Sequence, residues 1–156
     1  MMPAHTDLLR ELQDFAETKA NCKAVMERIC QCLHEKITRY NWVGFYLIDP
    51  ASPGALVIGP FVGSFTPSAR IPLNTGLYGA AAGSGETVVV HDFSKDPRYV
   101  AASPLVKCQI AVPIFAKKKL AAELDIESYF TNTFTDPEKS FVEACAAIVG
   151  KYMEKA

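Results

Sequence analysis

In the segment LAAELDIESYF (120–130), Glu123, Asp125 and Glu127 stand at i, i+2 and i+4. Side chains of a β-strand alternate between its faces, so the three carboxylates share one face and Leu124 and Ile126 the other. Neighbouring acids in such a row are roughly 7 Å apart along the strand. Two readings fit: a solvated sheet face, or a pocket floor that attracts an ammonium, a guanidinium or a metal. Gln109, on the strand-like segment CQIAVPIF (108–115), can project into the same space. Trp42 and Tyr46 are four apart in NWVGFYLI (41–48) and so share a face. Such a pair either packs a core or walls a ligand whose charged end meets the acids.

The thiols are the other source of chemistry. Cys108 follows Lys107, and a nearby cation favours the nucleophilic thiolate. Cys30 and His34 are i, i+4 on a helix, too few ligands for a closed zinc site, and no CxxC accompanies them. Cys145 belongs to an apolar stripe and His91 ends a valine run. Gly76-Leu77-Tyr78-Gly79 is not a phosphate loop: Ala80-Ala81 follow where a Walker loop needs Lys-Ser/Thr, and no third glycine completes a dinucleotide fingerprint.

The elements that must position these groups are legible from periodicity. Leu8, Leu9, Leu12 and Phe15 predict a first helix capped near His5-Thr6. Cys22, Val25, Met26, Ile29, Leu33 and Ile37 predict a second. NWVGFYLI and ALVIGPFVG (55–63) predict an antiparallel strand pair around a loop at Asp49–Gly54. A polar loop leads to Arg70-Ile71-Pro72. Gly76–Gly79 then opens a short helix over 79–84, ETVVVHD (86–92) is a strand, and 92–104 is loop. CQIAVPIF and LAAELDIESYF form a hairpin turning at Lys117-Lys118-Lys119. Thr135 or Asp136 caps a closing helix with Phe141, Cys145, Ile148, Val149 and Tyr152 on its buried stripe. The order predicts an α+β fold: an antiparallel sheet with the N- and C-terminal helices packed on one face and a loop-covered ligand pocket on the other.

The chain has 156 residues, 49% hydrophobic and 21% charged, with net charge −1. That predicts one globular domain over 1–156, with no electrostatic footprint for nucleic acid or anionic membrane. No stretch is apolar enough to cross a bilayer, and the N-terminus lacks a secretory signal pattern. Five cysteines are an odd number, which predicts free thiols and a cytoplasmic location.

Together, NWVGFYL, GPF, RIPLNTGLYGAAA, VHD, IAVPI, and LDIES with FTDPE resemble a GAF domain. Within that family they are most similar to the small stand-alone proteins that reduce free methionine-(R)-sulfoxide. The resemblance runs from about residue 8 to 152. It implies that Trp42 and Tyr46 line a substrate pocket and that Asp125 and Glu127 bind the substrate. Gln109 stands where the family has a binding glutamate, and Glu123 where it usually has an apolar residue. Tyr78 stands in place of the family's loop cysteine and Ala102 in place of its main catalytic cysteine. Sulfoxide reduction by thiols needs a nucleophilic thiolate and a second, resolving thiol. The expectation is therefore a small-molecule-binding domain for an amino-acid-like or amine ligand, without reductase activity, cofactor or metal, with Tyr78 narrowing the pocket or bonding the ligand. One alternative is a reductase using a relocated thiol, Cys108. Another is a regulatory module that homodimerises through its terminal helices.

Overall fold

The computed structural model describes residues 3–18, 20–65 and 67–155. Leu8 and Leu12 are one helical turn apart, and with His5 they form the buried stripe of α1, Pro3–Ala16. The helix thus begins before His5-Thr6, which lie inside it rather than capping it. His5 stacks on Phe141 at 4.3 Å between ring centroids. In α2, Cys22–Lys36, the Asn21 side chain caps the N-terminus by accepting from the Ala24 N–H at 2.8 Å. Val25, Met26, Ile29, Cys30, Cys32 and Leu33 are its buried residues. The closing helix α4, Asp136–Lys155, buries Phe141, Val142, Cys145, Ala146, Ile148 and Val149.

Six strands form one antiparallel sheet in the order β3-β2-β1-β6-β5-β4. They are β1, Trp42–Asp49; β2, Ser52–Gly63; β3, Arg70–Pro72; β4, Val88–Val90; β5, Cys108–Ala116; and β6, Lys119–Ser128. The β5–β6 hairpin turns at Lys117 and Lys118, both at positive φ, while Ala116 pairs with Lys119. The β1–β2 connection is tighter than the expected six-residue loop. Asp49 pairs with Ser52, so Ser52, Pro53 and Gly54 belong to β2. Arg70–Pro72 is a strand because it pairs with residues 55–57, and Arg70 is held by an ion pair with Asp49. The valine strand is shorter than ETVVVHD, since only Val88–Val90 pair with β5.

Strand alternation divides the sheet's two faces. Val43, Phe45, Ile110, Val112, Ile114, Ala122, Leu124 and Ile126 pack against α1, α2 and α4 in one cluster. Fully burying an aliphatic or aromatic side chain contributes about 1.5–3 kcal/mol. This layer therefore supplies most of the stability and leaves the opposite face able to hold groups that cost some. On that face lies α3, Gly76–Ser84, with two small apolar clusters beside it. In one of them Leu77, Ala81, Val90 and Ala111 are covered by Phe93 and Tyr99 from the irregular 92–107 segment. That segment contains one turn of 3-10 helix at Phe93–Lys95.

Candidate functional site

The acidic row lies on the α3 face, away from the three long helices. Glu123 and Asp125 are 0% exposed and Glu127 is 2% exposed, which excludes the solvated-face reading. Register sets their neighbours. On β1, Trp42 pairs with Glu127, Gly44 with Asp125 and Tyr46 with Glu123. On β5, Gln109 pairs with Glu127, Ala111 with Asp125 and Pro113 with Glu123. The row is thus flanked by two aromatics on one side and an amide on the other, with the small Gly44 and Ala111 beside the central acid.

Trp42 is fully buried although its ring lies on the α3 face of the sheet. Two glycines make room for it. A Cβ at Gly44 would lie 2.4 Å from Trp42 Cη2, and one at Gly63 would lie 2.3 Å from Trp42 Cδ1. The indole stacks between Phe61 and Phe65, at 5.7 and 5.6 Å, and its Nε1–H donates to the Phe65 carbonyl at 3.2 Å. Tyr46 continues the wall and meets Tyr78 edge-on at 5.1 Å. Neither glycine was singled out from the sequence. The signal available was a small residue at i+2 from a tryptophan on a strand, but the second contact comes from β2 and depends on pairing.

Tyr78 belongs to the first turn of α3, because that helix begins at Gly76 rather than Gly79. From there its hydroxyl donates to Asp125 Oδ2 at 2.8 Å. Gln109 Nε2 donates to Asp125 Oδ1 at 2.7 Å and to the Tyr78 oxygen at 3.1 Å. Both oxygens of Asp125 are therefore occupied. Glu123 differs: both of its carboxyl oxygens are buried without a hydrogen-bond partner, as is Glu127 Oε1.

Burial pushes all three acids up, since it penalises the charged form. Glu123 rises to about 9, through burial first and the Asp125 charge second. In the Asp125–Glu127 pair, burial raises both. Hydrogen bonds from Glu127, Gln109 and Tyr78 hold Asp125 lower, and its charge pushes Glu127 higher. Near neutral pH burial thus favours the protonated form of Glu123, and the hydrogen-bonded Asp125–Glu127 pair holds its protons more tightly than free carboxyls do. Burial raises the Tyr46 and Tyr78 phenols first, and the acids' charges add to it, so both tyrosines stay neutral.

The structure brings Trp42, Tyr46, Tyr78, Gln109, Glu123, Asp125 and Glu127 together on one face. It does not bring Cys108 with them: the thiol expected at the pocket rim lies in the helix-side core instead. Strand pairing begins at Cys108 itself, opposite Ser128, so alternation turns its side chain to the helix side once Gln109 faces the acids. Cys108 is 0% exposed within the main core, and burial pushes its thiol up despite nearby backbone hydrogen bonds. Cys30 donates to the Pro60 carbonyl and Cys145 is buried in α4, and burial raises both thiols. Among the described residues, no three His, Cys, Asp or Glu side chains gather as a metal site, the acidic row included. No helix among them is long and apolar enough to cross a membrane.

This curled antiparallel sheet, helices on one face and a walled acidic site on the other, is a GAF architecture. The GAF domain model matches residues 21–153, and the chain belongs to the GAF domain family. Within it the chain is similar to free methionine-R-sulfoxide reductases. It is 26% identical to the one from Escherichia coli over 149 residues, covering 96% of this chain and 88% of that protein. The structure of the Neisseria meningitidis free methionine-R-sulfoxide reductase in complex with its substrate superposes with a TM-score of 0.87 at 30% identity, covering 96% of this chain and 88% of that one. The Staphylococcus aureus fRMsr in complex with substrate gives 0.85 at 31% identity, covering 96% and 95%.

Proposed function

We propose that this protein binds a small amine or amino-acid-like molecule on its acidic face and does not reduce sulfoxides. The observation that carries the reading is the buried Asp125 between Glu123 and Glu127, walled by Trp42, Tyr46 and Tyr78. An ammonium neutralises that row, and the apolar part of the ligand lies along the aromatics. The two similar reductases solved with substrate lend support to a small-molecule ligand for a chain of this fold.

The second half of the reading rests on where the thiols lie. Reduction begins with a thiolate attacking the sulfoxide sulfur, which releases the sulfide and leaves a sulfenic acid. A second thiol then condenses with that acid, forming a disulfide and losing water. All five cysteines of this chain sit on α2, on α4 or on the helix-facing side of β5. Tyr78, on the acidic face, and Ala102, exposed in the 92–107 segment, occupy the positions where the resemblance sets the family's two cysteines.

Thermal unfolding with free L-methionine and with its (R)-sulfoxide tests the binding. The melting temperature of the wild type rises in millimolar ligand, because a ligand of the native state stabilises it. In Asp125→Asn the rise is absent. An equal rise in the variant removes the acidic row as the binding site.

A further inference from the structure

The acids of the row differ in what they have left to offer. Asp125 already accepts from Tyr78 and Gln109 and is hydrogen-bonded to Glu127, so these two acids form one unit whose open acceptor is the unpartnered Glu127 Oε1. Glu123 stands apart from that unit, roughly 7 Å further along the strand. It is fully buried on the ligand-facing side, with both oxygens unpartnered. A buried carboxyl without a partner costs stability, so the fold carries it at a loss. The three acids do not converge as a metal cage does. The groups that share the face with Glu123 are Asp125 and Glu127 on β6, Tyr46 on β1 and Tyr78 on α3. From β5 come Gln109, Ala111 and Pro113, none of them titratable. Among the described residues, no Lys or Arg acts on any of the three acids.

We propose that Glu123 forms a second cation subsite, so that the preferred ligand carries two ammonium groups, as a basic amino acid or a short diamine does. The inference rests on the amine-binding reading above and goes beyond it. One ammonium binds the Asp125–Glu127 unit and the other binds Glu123. The aliphatic chain between them lies along Tyr46. Because burial keeps Glu123 protonated near neutral pH, occupation of this subsite ionises it and releases a proton.

L-Lysine and L-norleucine share a carbon chain and differ in the terminal ammonium, so calorimetric titration of the wild type with each isolates the second subsite. Lysine is expected to bind about tenfold more tightly or better, the effect of one charge-assisted hydrogen bond. In Glu123→Gln the ratio of lysine to norleucine affinity falls to near unity. Titration in buffers of different ionisation enthalpy adds a reading that needs no variant: lysine releases about one proton more than norleucine at neutral pH. Equal affinities or equal proton release in the wild type overturn the second subsite. So does a preference that survives in Glu123→Gln. If norleucine binding is still lost in Asp125→Asn, the amine pocket stands without the second subsite. Binding of neither amino acid overturns both.

Discussion

The Tyr78 hydroxyl donates to Asp125 Oδ2 at 2.8 Å, tying the first turn of α3 to the centre of the acidic row. One contact thus joins the aromatic wall, the helix over the face and the group that carries the charge. Removing it with Tyr78→Phe takes one of the donors that hold the Asp125 carboxyl down. The Asp125 carboxyl should titrate higher in the variant, measured by carbon-detected NMR of the side-chain carboxyl. An unmoved titration would mean that the hydrogen bond is not held in solution.

Glu123 gives the protein an unusual pH dependence. Its folded value, about 9, lies above that of the unfolded chain. The folded state therefore binds the extra proton, and stability falls as pH rises from the unfolded value near 4.5 toward 9. Glutamine mimics the protonated acid and does not titrate. Urea unfolding at pH 5.5 and pH 8 should show Glu123→Gln gaining on the wild type by about 3 kcal/mol between the two. A constant difference would show that Glu123 is ionised in the fold.

Trp42 is the chain's single tryptophan, so its fluorescence reports the wall directly. Gly44→Ala places a Cβ 2.4 Å from the ring as it now lies, so the ring must shift. Overpacking of this kind costs about 1–3 kcal/mol. The urea midpoint should fall and the emission maximum should move red as the indole leaves its Phe61–Phe65 stack. Wild-type stability and emission would show that Trp42 does not rest on the glycine.

The helices, the β5–β6 hairpin and the clustering of the acids with Gln109, Trp42 and Tyr46 were legible because each follows from local periodicity. Alternation on β6 and on β1 states which residues share a face without any knowledge of the fold. What the sequence left open depended on pairing. Whether Glu123, Asp125 and Glu127 faced water or a pocket is decided by what α3 and the β2–β3 segment place over them. Cys108 needed the point where β5 begins, since one residue of register turns a side chain to the other face. Pro53-Gly54 carries a turn signature yet lies in β2, because the connection closes earlier, between Asp49 and Ser52. Tyr78 reaches Asp125 because α3 starts at Gly76, a boundary within the two or so residues by which helix ends shift.

The thiols separate by exposure. Cys22 is half-buried, whereas Cys30, Cys108 and Cys145 are 0% exposed. Iodoacetamide applied to the native protein should modify Cys22 first and reach Cys108 and Cys145 only after unfolding, read by peptide mass spectrometry. Early modification of Cys108 would reopen it as a reactive thiol.

Binding without reduction is tested most directly with free methionine-(R)-sulfoxide itself. One sample of wild-type protein is titrated calorimetrically, then incubated with thioredoxin, thioredoxin reductase and NADPH while methionine is measured by chromatography. The expected result is a binding isotherm that weakens at least about tenfold in Asp125→Asn, with methionine no higher than in a protein-free control. Protein-dependent formation of methionine, or an isotherm unchanged in the variant, would contradict it.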